Sequence, residues 1–286
     1  MPCMRCMQKK REYRYPVGAI LTAVVAILAT LLQGVVGDFP VALFSFPLNI
    51  LAMVLWLVAL TVIYRNRSTS RLAQMLMSRS ATWLSLLVMA AIGLVLGLQR
   101  QPSSASWPVV VGVLYVMSHL YLITLRGMRA AGRLRWRFTL LHLGLILALG
   151  AGFWGAADRV QLRMAVDGRA NNVAYTMSGE AHTLDYYISL KTFNVRSAGD
   201  GEQMQYEATV VVDKQDVVLR VNHPYSRTWA EKIYIVSHGA QPAGNYVVVE
   251  IVTEPWQWLS AAGIVMLIVG AVMMFLRGPR RLNNNM

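Results

Sequence analysis

The sequence predicts an α-helical polytopic membrane protein with six spans and a β-rich extracytoplasmic domain inserted between spans five and six. Three observations predict this class. The 286-residue chain is 56% hydrophobic and only 14% charged, which is too apolar for a water-soluble surface. It contains six apolar runs of the length that crosses a hydrocarbon core, about 20 residues each. One long segment, 158–255, instead alternates apolar and polar residues and carries most of the acidic ones.

The apolar runs divide the chain into its predicted parts. They cover residues 17–36, 41–64, 81–98, 107–125, 138–157 and 257–276. The first run is longer than the apolar part of a signal peptide and has no A-x-A-like cleavage site, so we expect it to remain as a span. The predicted parts are a basic leader at 1–16, five transmembrane helices within 17–157, the β-rich domain at 158–255, a sixth helix at 256–276 and a basic tail at 277–286.

The basic residues predict the orientation. The net charge is +13, and most Arg and Lys residues outside the β-rich domain fall in loops on one side of a six-span chain. Short loops rich in Arg and Lys stay in the cytoplasm. We therefore expect both termini in the cytoplasm, residues 158–255 on the outer side of the membrane, and no nucleic-acid surface. These loop positions are Arg5, Lys9, Lys10, Arg11, Arg14, Arg65, Arg67, Arg71, Arg79, Arg126, Arg129, Arg133, Arg135, Arg137, Arg277, Arg280 and Arg281.

The cysteines and outer histidines predict no metal centre. Cys3 and Cys6 form one C-x-x-C pair in the leader, whereas a closed zinc site needs four ligands. The β-rich domain has no cysteine, so it has neither a disulfide nor a C-x-x-C-H haem attachment site. Its histidines, His182, His223 and His238, lack metal-binding spacing, and the chain has no nucleotide-binding or nucleophile motif.

Alternating segments separated by turn residues predict an antiparallel sheet with one buried face. The segments LDYYISLKTFNV and MQYEATVVV flank RSAGDGEQ, whose Gly-Asp-Gly favours a hairpin loop. A second turn, DKQD, precedes VVLRVN, and the segments KIYIVSH and NYVVVEIVT follow.

Small and polar residues in the spans predict where helices pack. Pro47 and Asn49 lie early in span two, and such residues are tolerated where neighbouring helices satisfy the freed polar groups. In span five, small residues recur at spacings of four, four and three, which lets another helix approach one face closely. The small residues of spans five and six are Gly144, Ala148, Gly152, Gly155, Gly263 and Gly270.

Two histidines within predicted spans are the candidate cofactor ligands. At 1.5 Å per residue, His142 lies ~6 Å and His119 ~9 Å inside the cytoplasmic face. Polar groups at membrane depth are costly and usually face a bundle interior or a functional path. Each ring has two interpretations. It makes a hydrogen bond between helices, or it is an axial ligand of a haem in an apolar pocket.

Helix spacing bears on how a haem would be held. Directly packed helices are only about 8–10 Å apart, which is tight for a haem between two axial histidines of one chain. A haem with one ligand from His142 and a second ligand from a partner chain is therefore easier to accommodate. A two-histidine electron carrier that uses both His119 and His142 is an alternative.

Ordered motifs in the second half of the chain carry a family resemblance. HLGLILALGAG is similar to a histidine-bearing, glycine-rich helix of one known protein family. LDYYISLKTFNVR and MQYEATVVV are similar to two strands of the same family. VNHPYSRTWAEKIYIVSHG is similar to a further segment of that family, and the matching positions are Val221, Asn222, Pro224 and Tyr234. EPWQWLSAAGIVMLIVGAVMMF is similar to the family's closing helix. In this order they resemble the ResB family, also called CcsB, of system II cytochrome c biogenesis.

The resemblance implies a subunit that joins a CcsA-like membrane protein, also called ResC. Together they would move or present haem b to the outer face, where it is attached to apocytochrome c. His142 matches the family's transmembrane haem-ligand histidine, whereas His119 matches no motif.

Five spans precede the outer domain instead of the usual three, and the partner's tryptophan-rich WWD segment is absent. The chain is then at most one subunit of a haem lyase complex. A membrane-anchored scaffold whose β domain docks an external protein without haem is the alternative.

Overall fold

The computed structural model describes residues 14–98, 105–130, 132–196, 205–241 and 244–276. The chain divides into two compact units. The helical unit comprises residues 1–157 and 258–286, and the β unit comprises residues 158–257. Cys3, Cys6, the basic tail and the Gly-Asp-Gly loop lie outside the described residues.

The described residues contain seven α-helices. Six of them are long and apolar enough to cross a membrane, all except the short α3. The prediction of a polytopic membrane protein is therefore confirmed at the level of helix length and composition. The helices are α1 (Arg14–Val36), α2 (Leu48–Arg65), α3 (Arg71–Leu76), α4 (Arg79–Leu98), α5 (Trp107–Gly127), α6 (Trp136–Trp154) and α7 (Gln257–Phe275).

Helix α2 begins later than its apolar run. Residues Val41–Phe44 form a separate 3₁₀ helix, and Pro47 stands at the N-cap of α2, so the expected start at residue 41 is wrong. Proline lacks a backbone N–H and is tolerated only at or before the first turn of a helix. The side-chain amide of buried Asn49 donates to the carbonyl oxygen of Trp154 over 3.0 Å, which is the interhelical partner expected for this residue.

Two short elements in the basic loops have no counterpart in the apolar pattern. Helix α3 is six residues long and begins where the Ser70 hydroxyl accepts from the Ala73 N–H. A hairpin of β1 (Arg129–Ala130) and β2 (Arg133–Leu134) joins α5 to α6, with Gly132 at a φ of 76°. Elements this short are too brief to show a periodicity.

The β unit is one eight-stranded antiparallel sheet. Along the chain its strands follow α6 and precede α7, and in the sheet they lie in the order β7-β6-β5-β4-β3-β10-β9-β8. The strands are β3 (Val160–Val166), β4 (Asn171–Thr176), β5 (Ala181–Arg196), β6 (Gln205–Val212), β7 (Gln215–Arg220), β8 (Tyr225–Ser226), β9 (Glu231–Gln241) and β10 (Gly244–Thr253).

The sheet curls around its own core. Alternate residues of each strand face inward, as in β3, where Leu162, Met164 and Val166 are buried and the residues between them are exposed. Strand β7 at one edge contacts β8 and β9 at the other edge, so the apolar faces enclose a single cluster. Its largest fully buried side chains include Tyr186, Met164, Ile188, Leu219, Ile233 and Ile251.

Two turns have the residues that their backbone angles require. Asp213 and Lys214 connect β6 to β7 with φ values of 53° and 67°, the two-residue hairpin turn within the predicted DKQD segment. Asn222, at 63°, turns the chain from β7 towards β8, and the His223 N–H donates to the Arg220 carbonyl there. Asparagine tolerates this left-handed conformation better than most residues.

A charged cluster joins the β8–β9 turn to the opposite part of the curled sheet. The Arg227 guanidinium lies 3.8 Å from the centroid of the Tyr186 ring, and its Nη1 lies 3.4 Å from a carboxylate oxygen of Glu231. The Tyr186 hydroxyl donates to the same carboxylate over 3.0 Å. Burial, and then the charge of Glu231, raise the pKa of Tyr186, which keeps this hydroxyl protonated and able to donate. Asp185 and Asp213 each lie 3.5 Å from Nη2.

We predict that Arg227→Ala lowers the free energy of unfolding of the β unit by about 2 kcal/mol, because Glu231 would stay largely buried without its cation. The Arg227 and Glu231 side chains are only 19% and 15% exposed. Hydrogen exchange of the β5 and β9 amides in the full chain measures the change. The control is Lys191→Ala, which removes a pair that is 55% and 54% exposed and should change the free energy by less than about 1 kcal/mol. Equal effects of the two substitutions would contradict the role of the cluster.

Candidate functional site

Helix α6 is packed on two sides. Towards α7 the backbones meet closely, since a Cβ atom added at Gly144 would lie 2.7 Å from the Gly263 carbonyl oxygen. One added at Gly263 would lie 2.6 Å from the Ala148 nitrogen. Towards α5, a Cβ atom at Gly150 would meet the terminal methyl of Met117 at 3.6 Å. The close approach that small residues in span five allow is therefore made by α7 of the same chain.

One residue of the predicted small-residue face does not take part. No atom lies within 4 Å of a Cβ atom added at Gly152. Gly152 follows Gly144 by eight residues, so on an ideal helix it lies about 80° further around the axis. This rotation is enough to take Gly152 out of the contact between α6 and α7. The expectation that Gly152 lines the packed face is therefore wrong.

A third face of α6 carries His142 and is not covered by α7. Two residues along a helix correspond to about 200° around its axis, so His142 points away from the side where Gly144 meets α7. It shares its face with Leu145 and Leu149, which are 37% and 40% exposed. His142 itself is partly buried. The face is apolar and partly open within the described residues.

The hydrogen bond of His142 determines which ring nitrogen is free to bind a metal. Its Nδ1 lies 2.9 Å from the backbone carbonyl oxygen of Phe138. A carbonyl oxygen can only accept, so Nδ1 carries a proton, and in a neutral imidazole with this tautomer the lone pair is on Nε2. Histidines that bind metals commonly donate the other ring N–H in this way, which fixes the tautomer and the ring orientation.

An aromatic ring and a cation flank the imidazole. The Phe138 ring stacks on His142 with the centroids 3.8 Å apart and the planes at 24°. Phe138 also fills the space beside Gly127, at the end of α5. The Arg135 guanidinium lies 5.0 Å from the Phe138 centroid, and its Nη1 donates to the Gly127 carbonyl over 3.3 Å. Arg135 precedes His142 by seven residues, ~10 Å along the helix. A ligand with a metal centre and a carboxylate edge matches this arrangement.

His119 has very different surroundings. It is 2% exposed, and neither of its ring nitrogens has a hydrogen-bond partner within the described residues. Its ring meets the Tyr115 ring edge to face at 4.5 Å, and the Tyr115 hydroxyl lies 3.0 Å from that of Thr22 on α1. A cavity of about 100 Å³ between α1, α4 and α5 is lined in part by Thr22, Ser85 and Tyr115. That is below the usual range of ligand pockets, about 300–1,000 Å³.

The two histidines lie on different sides of α5. Met117 contacts α6, whereas His119, two residues further along, lies about 200° around the helix and beside Tyr115, which bonds to α1. The structure therefore does not bring His119 and His142 to one site. A single haem held by both is disfavoured, and ligation by His119 stays a prediction that the packing does not favour.

The remaining motif positions shape the sheet. Val221, Asn222 and Pro224 lie between β7 and β8, and Tyr234 pairs with Glu250 across β9 and β10. Sequence reasoning missed Phe138 and Arg135. The signal present in the sequence was the spacing of four residues between Phe138 and His142 just after a basic loop, which places both on one helix face.

The comparison with models of protein families agrees with the family resemblance. The model of the ResB-like family matches residues 131–249, which include α6 with His142 and most of the β unit. No curated protein matches the chain significantly. Three chains of solved structures match, and one is cytochrome c haem lyase CcmF, at 12% identity and a TM-score of 0.42. The match covers 92% of this chain and 45% of that one, so the chain spans less than half of its length.

The family match covers less than half of the chain. The resemblance to the ResB family of cytochrome c biogenesis proteins is confirmed. Residues 131–249 are similar to the ResB-like family.

We predict that Gly144→Leu destabilises the helical unit by about 1–3 kcal/mol, because the new side chain would collide with the backbone of α7. Thermal unfolding of the purified protein in detergent measures this. Gly152→Leu is the matched control on the same helix, since its position has open space, and it should leave the unfolding temperature unchanged. An equal drop in both variants would contradict the close packing of α6 on α7.

Proposed function

We propose that this chain is a subunit of a system II cytochrome c biogenesis complex. It handles or exports haem b and presents it, together with a CcsA/ResC-like partner, for attachment to apocytochrome c. The observation that carries the proposal is the hydrogen bond from His142 Nδ1 to the Phe138 carbonyl, which leaves Nε2 free on the partly open face of α6. The ResB-like match over this helix supports the same class.

A partner chain supplies the second axial ligand in this proposal. His119 lies on the far side of α5, so it is poorly placed to share a haem with His142. The face with His142, Leu145 and Leu149 is apolar and partly exposed, which suits a transmembrane helix of the partner or the face of a porphyrin. A haem iron bound between two imidazoles would then lie at the boundary of two chains.

The residues around His142 have separate roles towards this cargo. Phe138 orients the imidazole through its carbonyl and limits its motion by stacking. Arg135 lies at the start of α6, where its positive charge is suited to a propionate of a haem bound at His142. With Nδ1 protonated, His142 would bind iron through Nε2.

The proposed orientation follows the basic loops. Both termini and the β1–β2 hairpin lie in the cytoplasm, and residues 158–255 lie outside the bacterial inner membrane. His142 is then near the cytoplasmic face, where haem would enter. In this proposal it contributes at most one subunit to a haem lyase complex.

We predict that His142→Ala reduces maturation of c-type cytochromes at least about tenfold, because one axial bond is lost. Added imidazole should restore part of it by occupying the space that the side chain leaves. Haem staining of cytochromes in a strain that lacks the native gene measures both effects. His182→Ala, at an exposed position on β5, is the control and should mature cytochromes normally.

Normal maturation in the His142→Ala strain would contradict the ligand role. A membrane-anchored scaffold that docks an external protein would then be favoured. That scaffold would still work with the β unit attached to an unrelated span.

A further inference from the structure

The β1–β2 hairpin between α5 and α6 lies in a run of arginines that no acidic residue interrupts. The arginines between residues 126 and 137 are Arg126, Arg129, Arg133, Arg135 and Arg137. All are exposed except the last, which is partly buried. None of them makes an ion pair within the described residues, where every ion pair lies in the β unit. Their positive charges therefore repel one another at short range.

The described part of the helical unit has no carboxylate near this hairpin. Its one acidic residue there is Asp38, and no other acidic residue occurs before Asp158 in the β unit. The N–H of the adjacent Phe39 donates to the Ala105 carbonyl over 2.8 Å, just before α5 begins. The hairpin follows the other end of α5, whose 21 residues span about 30 Å. Salt screens exposed charges beyond about 8–10 Å, so Asp38 cannot offset the arginines.

The hairpin lies at the boundary of two apolar spans. Helix α5 ends at Gly127 and α6 begins at Trp136, and both helices are long and apolar enough to cross a membrane. The Trp136 side chain is 62% exposed. Tryptophan is enriched where a span meets the lipid headgroups. Since only residues 128–135 separate the two spans, the hairpin arginines lie within reach of the headgroup layer.

The hairpin holds two of its arginines in fixed register. Arg129 pairs with Leu134 and Ala130 pairs with Arg133, next to a turn at Gly132. Directly paired residues share one face of a strand pair, and successive residues alternate between faces. Arg129 and Arg133 therefore stand on opposite faces of the hairpin. They can contact two separate phosphate groups at the same time.

A second basic loop, after α2, offsets its charges within the protein. Arg65 lies in the last turn of α2, where the free carbonyl groups of a helix stabilise a cation. The Arg67 guanidinium donates to the Tyr64 carbonyl over 3.0 Å and lies 4.3 Å from the Tyr64 ring centroid. Arg129 and Arg133 have no such contact within the described residues. The hairpin is thus the better anion site of the two.

We propose that the β1–β2 hairpin binds the headgroup phosphates of anionic lipids, and that Arg129 and Arg133 make the main contacts. A guanidinium donates two parallel hydrogen bonds to a phosphate, which makes arginine well suited to this ligand. Clusters of about four to eight basic residues directly beside a transmembrane helix attract anionic lipids.

Lipid bound at the hairpin would act on the start of α6. The Arg135 N–H donates to the Met128 carbonyl over 2.8 Å, and its side chain donates to the Gly127 carbonyl. The hairpin is therefore closed onto the first turn of α6. Headgroups held there would fix the depth of α6, and with it the depth of His142. The lipid site itself requires no haem.

Native mass spectrometry of the purified full chain, titrated with phosphatidylglycerol or with zwitterionic phosphatidylcholine, tests this site. We expect the parent to bind phosphatidylglycerol at least about tenfold more tightly than phosphatidylcholine. Arg129→Gln with Arg133→Gln should weaken phosphatidylglycerol binding at least about tenfold, because two charges beside the headgroup are lost. Arg129→Lys with Arg133→Lys keeps both charges and should bind within about threefold of the parent.

The matched control is Arg65→Gln with Arg67→Gln, which removes the same charge from the other basic loop and should bind like the parent. Circular dichroism without lipid checks folding. If the glutamine pair at the hairpin does not fold, Arg133→Gln alone is compared with Arg67→Gln.

Three results would overturn the lipid site. One is equal binding of the two lipids by the parent, and another is equal weakening in the two glutamine pairs. The third is unchanged phosphatidylglycerol binding in the hairpin variant together with weaker hemin binding, which would assign the arginines to haem propionates. Displacement of the lipid by an equal concentration of inorganic phosphate would likewise contradict a lipid ligand. Normal cytochrome maturation in the His142→Ala strain contradicts only the proposed function and leaves the lipid titration unaffected.

Discussion

Helix α6 packs so closely on α7 at Gly144 and Gly263 that neither position has room for a side chain. This contact fixes the rotation of α6, and a helix with 3.6 residues per turn then has a set direction for every other side chain. His142 consequently points away from α7, onto a face shared with exposed leucines. The direction of the imidazole, its bond to the Phe138 carbonyl and its access to a partner all depend on this packing.

The hydrogen bonds of the two membrane histidines separate their roles. His142 has one nitrogen bonded to a carbonyl and the other available, which is the state that a metal ligand requires. His119 is enclosed, with no hydrogen bond at either nitrogen within the described residues. Burying a polar group without a partner costs free energy, so His119 is held there by the surrounding packing. The depth in the membrane that residue counting predicts is similar for both and does not distinguish them.

Much of the architecture could be predicted from the sequence, because apolar length and strand alternation are local signals. Six spans, a separate antiparallel sheet and the Asp213–Lys214 turn follow from such patterns. The start of α2 at Leu48 and the open space at Gly152 could not be predicted, since they depend on a proline cap and on the neighbouring helices. The separation of His119 from His142 likewise depends on the rotation of α5. The contact of His238 with Phe193 and Tyr206 forms only when strands far apart in the sheet order meet.

The most direct measurement is a reduced-minus-oxidised visible spectrum of the protein co-purified with the proposed CcsA-like partner. The parent, His142→Ala and His119→Leu proteins would be compared at equal protein concentration. If His142 is an axial ligand, the parent shows a b-type haem band, His142→Ala weakens or shifts it, and His119→Leu leaves it unchanged. A parent complex without haem, or a band that is unaffected by His142→Ala, would contradict the ligand role.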